Sequence, residues 1–300
     1  MLTSSLFYKD TASQHNVFGK NSTNSGYKKR HEICAKSNLM DLIGPLHFDL
    51  ATQPKLLING VNVRIKLEQN KDIFSLMSKD DEFKTVIHSA KLYVRKVNVS
   101  PSVFLAHEKA LESGVIKMPI RRIEVKTFAL SYGLQSTTIA NECIYWAATN
   151  AHHFRFFLSN EAYNGNVSKN PFQFSHYNLN YLCILNGSQM IPSKPLQPDF
   201  QQDCYARCYM NLFTDLNRYH NFQNININYE EYKNGYTLYV FDLTPDYAAS
   251  ESHTSVNKNG NIGIDIKFSH SLPETVTLLA FAEYRNVIEI DKSRSVFTDY

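Results

Sequence analysis

Leu56-Leu57-Ile58-Asn59-Gly60-Val61-Asn62-Val63-Arg64-Ile65-Lys66-Leu67 opens with an apolar triplet, turns at Asn-Gly, and then alternates apolar and polar residues without a break. Asn-Gly tolerates the positive backbone angles of a tight hairpin turn, and a period of two sends successive side chains to opposite faces of a sheet. The pattern predicts a strand with Val61, Val63, Ile65 and Leu67 towards a core and Asn62, Arg64 and Lys66 towards solvent. A similar outline returns late in the chain. Phe48-Asp49-Leu50, Gly60 to Leu67 and Ala90-Lys91-Leu92-Tyr93-Val94-Arg95-Lys96-Val97 are echoed by three later blocks. These are Phe241-Asp242-Leu243, Gly260-Asn261-Ile262-Gly263-Ile264-Asp265-Ile266-Lys267-Phe268 and Ala282-Glu283-Tyr284-Arg285-Asn286-Val287. An echo of this kind predicts two sandwiches of the same type, with residues 40–100 ending the first and 236–300 ending the second.

Outward from these blocks, strands are expected at Lys84 to Val99, Ile120 to Leu130, Phe154 to Leu158, Leu179 to Leu185, Tyr236 to Leu243, Ile262 to Phe268, Val276 to Tyr284 and Val287 to Ile290. Ser100-Pro101 followed by apolar residues at helical spacing and stopped by Gly114 predicts one short helix over 101–113, and Asp203 to Leu216 a second. Residues 1–38 read as loop. So does Ile191-Pro192-Ser193-Lys194-Pro195-Leu196-Gln197-Pro198, because proline removes a ladder donor. Many short strands with no βαβ alternation give an all-β class: antiparallel jelly-roll sandwiches, one C-terminal and complete, one N-terminal and partial, with two short helices. The expected division is 1–39, a loop-rich segment of the first jelly roll; 40–115, its C-terminal half with a connecting helix; and 116–300, the second jelly roll.

Composition narrows function. Of 300 residues, 43% are hydrophobic, enough for a substantial core, and 18 Tyr with 19 Phe favour pleated, half-buried surfaces. Net charge is only +3, too balanced for a dedicated nucleic-acid coat. The basic run Lys28-Lys29-Arg30 reads as a solvated loop. Five cysteines at 34, 143, 183, 204 and 208 imply no disulfide framework and fit a reducing compartment. With no leader pattern or long apolar run, a protein that is not secreted and has no membrane span is expected, and the sequons at Asn166 and Asn186 read as chance matches.

No catalytic, cofactor-binding or metal-binding residue emerges. Cys204 and Cys208 lack a nearby Cys/His pair, so they read as small residues on a packed helix face. His152 and His153, adjacent on a strand, point to opposite faces and do not share a site. Asp41, Asp49, Asp242 and Asp246 flank strands and prolines, where aspartate caps turns. Phe172-Gln173-Phe174-Ser175-His176-Tyr177 lacks the interleaved basic residues of a base-stacking platform and reads as packing. Phosphate-loop, zincin and nucleophile-elbow motifs are absent, so no enzyme is expected.

Several blocks together resemble the major capsid proteins of Polinton/Maverick elements and adintoviruses. They include Leu2-Thr3-Ser4-Ser5-Leu6-Phe7-Tyr8-Lys9-Asp10-Thr11-Ala12, Asp41-Leu42-Ile43-Gly44-Pro45-Leu46-His47 and Leu57-Ile58-Asn59-Gly60-Val61-Asn62-Val63-Arg64. Further blocks are Asn98-Val99-Ser100-Pro101-Ser102-Val103-Phe104-Leu105-Ala106-His107, Lys169-Asn170-Pro171-Phe172, and Pro192 to Phe200. Asn234-Gly235-Tyr236-Thr237-Leu238-Tyr239, Phe241 to Asp246, and the end from Glu289 to Tyr300 complete the set. The resemblance covers nearly the whole chain. It implies a structural double jelly roll that forms homotrimeric, pseudo-hexagonal capsomers in an icosahedral shell, with a minor vertex protein as partner. It further implies assembly in cytoplasm or nucleus and residence in the virion, and an additional N-terminal stretch ahead of Met1 that supplies the first strands. A single-jelly-roll vertex protein and a jelly-roll carbohydrate- or ligand-binding module are the alternatives, and the internal echo weighs against the first.

Overall fold

The computed structural model describes residues 2–79, 83–139, 145–146, 152–219, 225–244 and 260–298. Its strands are β1 (Ile116–Leu130), β2 (Ser136–Ile139), β3 (Tyr145–Trp146), β4 (His152–Ser159), β5 (Leu179–Asn186), β6 (Gln189–Leu196), β7 (Tyr239–Asp242), β8 (Gly260–Phe268), β9 (Val276–Ile290) and β10 (Val296–Thr298). Three helices exceed one or two turns: α1 (Ser25–Cys34), α4 (Pro101–Ser113) and α6 (Ala206–Thr214). Short helices are α2 (Asp49–Thr52), α3 (Asp72–Ser75), α5 (Asn160–Asn164) and α7 (Tyr229–Lys233).

Strand order identifies the architecture. One sheet runs β1-β9-β4-β7 and the other β2-β8-β5-β6, with β10 on β9 and β3 on β8 as short additions. Setting those two aside, eight strands remain, and they pair first with last, second with seventh, third with sixth and fourth with fifth. That is a long antiparallel ribbon rolled into two facing sheets, a jelly roll. The register of β4 on β7 and β9, and of β5 on β6 and β8, is antiparallel throughout.

Inner faces supply the core. Ile262, Ile264, Ile266 and Phe268 of β8 alternate inward, as the period of two requires, and meet Leu182 and Ile184 of β5. Opposite them lie Phe157 of β4, Tyr239 and Phe241 of β7, and Leu278, Ala282 and Tyr284 of β9. Phe157 sits edge-on to both Tyr239 (6.0 Å) and Phe268 (5.7 Å), which joins the two sheets. Beside the sandwich, His176, Phe200, Tyr205 and Tyr229 stack ring on ring at 4.1, 5.2 and 4.2 Å.

The chain separates into two compact units. One comprises Met1–Gly44, Asn70–Phe83 and Ile123–Tyr284; the other Pro45–Gln69, Lys84–Arg122 and Arg285–Tyr300. In the second, Asp49 of α2 accepts the Arg121 backbone N–H at 3.0 Å, Arg294 pairs with Glu108 of α4, and Lys117 pairs with Glu289 at 2.9 Å.

Four expectations change. Residues 61–67 and 84–99 carry no strand, and Val63, Leu67, Leu92, Val94 and Val97 are exposed. A strand needs a hydrogen-bonded neighbour and a buried face, and alternation alone supplies neither. The echo is therefore realised as β7, β8 and β9 in its second copy only. The proline-rich segment is the strand β6, not a loop. It pairs on one side alone, and its register shifts where it lies opposite Leu182 and Ile184, so Pro192 and Pro195 forfeit no central ladder bond. Residues 1–38 contain α1, whose N-cap Asn24 accepts from the Gly26 and Tyr27 backbone N–H groups. Lys28-Lys29-Arg30 accordingly lies on a helix, and Arg30 pairs with Asp10 at 2.6 Å. The expected helices over 101–113 and 203–216 appear as α4 and α6.

Replacing Phe157, which is fully buried, with Ala removes the contact common to both sheets. The expected loss is about 3–5 kcal/mol of unfolding free energy, measured by urea titration; a loss below about 1 kcal/mol would contradict this packing.

Candidate functional site

The residues weighed for chemistry are placed apart or sealed in structure. Cys204 precedes α6 and is exposed, its backbone bridging to Asp199, while Cys208 is buried in the core. Burial pushes the Cys208 thiol up to about 12, so it is an inert core group. His152 and His153 lie on β4, in register with Asp242 and Phe241. Asp41 is exposed, and Asp246 and Cys143 fall outside the described residues. Asp242 accepts the Thr244 N–H (2.8 Å) and hydroxyl (2.7 Å), the turn-capping role expected of it. Among the described residues, no three or more His, Cys, Asp or Glu side chains converge on a metal-sized site. Also among them, no helix is long and apolar enough to cross a membrane.

Phe172 to Tyr177 packs, but at several places. Phe174 lies 5.0 Å from Phe156 of β4, His176 stacks on Phe200, and the Tyr177 hydroxyl donates to Glu274 at 2.9 Å. Phe172 remains exposed. Lys169 bridges Glu161 (2.6 Å) and Glu274 (3.3 Å). Lys169, Glu274 and Tyr177 line a small polar hollow with Asn16, Ser159 and Gln173. Because its charges are already paired with one another, it offers no free ion to a ligand.

Two buried charges escaped the sequence reading. Arg155 of β4 projects into the sandwich and is fully buried, where loss of solvation lowers its guanidinium to about 10 against an opposing influence from Tyr284. Asp215, at the end of α6, is buried as well. Burial pushes its carboxyl up to about 6, although the Asp242 backbone N–H (3.2 Å) and the Thr214 hydroxyl (3.0 Å) favour the ionised form. Both residues look like ordinary surface charges in sequence, since nothing local shows that they will face inward.

The remaining feature is a surface. Leu130 and Phe128 of β1 turn towards the core, so the alternate residues Ile123, Val125, Thr127 and Ala129 face outward and are exposed. Leu279 and Phe281 of β9 continue this outer face, partly exposed. Towards β4 the same face is covered by Phe174 on Phe156. Towards β1 its apolar residues Ile123 and Val125 are exposed among the described residues.

No protein-family model matches the chain. An uncharacterised protein of Caenorhabditis elegans is 24% identical over 261 residues, which is 85% of this chain and 62% of that protein. The chain thus spans less than two thirds of the relative's length. Solved structures with some likeness include a quasi-atomic model of the PBCV-1 virus capsid, with a TM-score of 0.37, 9% identity, and coverage of 65% of this chain and 54% of that one. PBCV-1 VP54, fitted into a reconstruction of the virophage Sputnik, gives 0.36, 11%, 62% and 52% in the same order. The mavirus major capsid protein gives 0.34, 9%, 62% and 41%. The jelly-roll assignment itself rests on the strand order.

Because the folded value of Asp215 lies above its ordinary 3.8, the stability it contributes is full below that pH and is lost as pH rises through about 6. Asp215→Asn is therefore expected to flatten the stability profile between about pH 4 and pH 7 by about 2 kcal/mol. Denaturant melts of both proteins across that range check this; parallel curves would refute it.

Proposed function

We propose that this chain is a structural subunit of a viral-type shell, the larger part of a double jelly-roll major coat protein of the Polinton and adintovirus kind. On this reading residues 116–300 are the second jelly roll, and residues 1–39 and 40–115 belong to the first. Its working unit is a homotrimer that tiles into a capsid lattice, with a minor vertex protein closing the shell, and its destination is the virion.

The observation that carries the reading is the exposed apolar outer face of β1, beside which Leu279 and Phe281 of β9 are partly exposed. Val125 is 55% exposed and Ile123 45% exposed on a sheet whose other face is already a closed core. A sandwich satisfied by its own packing has no need of a second apolar face, whereas a subunit that assembles does. The exposed alternation at 61–67 and 84–99 adds to it: both segments have the pattern of strands and await edges to pair with. Function of this type is spread over contact surfaces, in keeping with candidate residues that are buried, paired or far apart.

The test is native mass and negative-stain electron microscopy of the full chain beside the double variant Ile123→Asp, Val125→Asp. Trimers or larger closed assemblies are expected for the natural sequence. Association should weaken more than about tenfold, roughly 1.4 kcal/mol, in the variant, with the subunit's thermal midpoint nearly unchanged. A monomer at all concentrations, or assembly indifferent to both aspartates, would overturn the reading.

A further inference from the structure

Residues 9–17 lie as a strap across the jelly roll, held there by a series of polar contacts. Lys9 pairs with Glu231 of α7 at 2.6 Å. Asp10 pairs with Arg30 of α1 and accepts from the Asn170 amide at 2.9 Å, while its carbonyl accepts the Tyr236 hydroxyl at 2.7 Å. The Ser13 N–H donates to the Asn234 carbonyl at 2.8 Å, and Asn16 exchanges bonds of 2.7 Å with Asn170 and Gln173.

His15 is the exception. Its side chain is sealed beneath the strap, 1% exposed, and neither ring nitrogen has a hydrogen-bond partner among the described residues. The ring lies 4.8 Å from that of Tyr236 and against the backbone of Gly235. Gly235 holds φ at +108°, and a Cβ there would stand 2.4 Å from the imidazole Cε1, so only glycine leaves the notch open. The strap is thus seated by a histidine in a glycine-floored notch, in its neutral form.

We propose that His15 is an acid-sensitive clasp, whose protonation releases the strap and the N-terminal arm it carries from the 170–173 and 234–236 loops. A charged imidazole would carry two N–H donors in a buried position where neither ring nitrogen has a partner among the described residues. Asp10, the nearest counter-charge, is already held by Arg30 and Asn170. Burial accordingly lowers the imidazole below its ordinary 6.5, and Asp10 opposes that only in part. The sign follows: docking is favoured above the free value and lost as pH falls below it.

The other groups facing the strap respond elsewhere. Burial pushes Glu231 up, but Lys9 and the Asn228 N–H together pull it below the ordinary carboxylate range, so the Lys9 contact survives into stronger acid. The His176 ring, lowered to about 4 by burial and then by Lys233, also charges later and sits in the aromatic stack. Asp215 titrates nearby in pH with the opposite sign, at the junction of α6 and β7.

Hydrogen–deuterium exchange of the full chain tests the clasp, with natural protein and variants compared at the same pH so that intrinsic rates cancel. In the natural protein, amides of residues 9–17 are expected to exchange faster as pH falls below 6.5, by at most about tenfold per pH unit, the limit for one proton taken up. In His15→Phe the strap should stay protected in acid. In Gly235→Ala, whose new methyl group excludes the ring, it should exchange fast at neutral pH too, while β4, β8 and β9 stay protected. The clasp is overturned if His15→Phe opens in acid as the natural protein does. Protection of the strap in Gly235→Ala, or simultaneous exposure of strap and strands in acid, would overturn it equally.

Discussion

The edge-to-face contact between Phe157 and Phe268 is the point on which the rest of the architecture turns. Phe157 belongs to β4 and Phe268 to β8, so their rings touch across the gap between two sheets that share no ladder among the described residues. Backbone ladders hold each sheet together, but only side chains hold the sheets to each other, and aromatic rings bridge that distance with the most area per residue. Tyr239 locks the same ring from within its own sheet. Once those three are packed, both inner faces are committed, and each strand's alternate residues are forced outward. The exposed face carrying Ile123 and Val125 is therefore a by-product of the core: inward Phe128 and Leu130 dictate it.

Strands that find neighbours were legible in the sequence, and strands without neighbours were misread by the same rule. Ile262 to Phe268 and Val61 to Leu67 have nearly the same alternation. The first sits between β5 and β2 and is a strand; the second has no paired edge and is not. Alternation reports what a segment would bury, and says nothing of whether a partner is present. The proline-rich segment failed in the opposite direction. Its prolines argued against a ladder, but an edge strand needs donors on one side only, and edge position is a property of topology. Helix α1 had a readable signal, Asn24 as N-cap, hidden within a polar stretch that resembled loop. What is known of the site followed the same division. Local spacing limits which ligands can meet, and it was the only part of the site that sequence motifs could address. Arg155, Asp215 and His15 were invisible, since burial is decided by strands and straps far away in the chain.

These three buried polar groups lie in different settings, and their arrangement distinguishes frame from attachment. Arg155 sits within the sandwich and Asp215 where α6 meets β7, both among packed elements. His15 lies on the strap, which is tied to the sandwich by hydrogen bonds and ion pairs. The same unfavourable charging that would strain the frame is, at the strap, easily relieved by detachment. On the proposed reading, the layout joins a packed body with an apolar outer face to a peripheral arm whose seating answers to its surroundings.

The pairing of first strand with last has a consequence for how the chain is made. β1 leaves the ribosome early and cannot find β9 until Ile290 has been synthesised; at about 5–20 residues per second that is a wait of roughly 10–30 s. During that time only the neighbouring strands β5 and β6 have a local partner, while β1 and β2 present unpaired edges and the isoleucine and valine of an incomplete face. Non-local pairing of this kind also closes slowly once every strand is available, because the long loop must be ordered before any contact rewards it. The rolled ribbon, whose first strand must wait for its last, thus makes the nascent form the state most exposed to wrong partners, other nascent copies of the same chain above all.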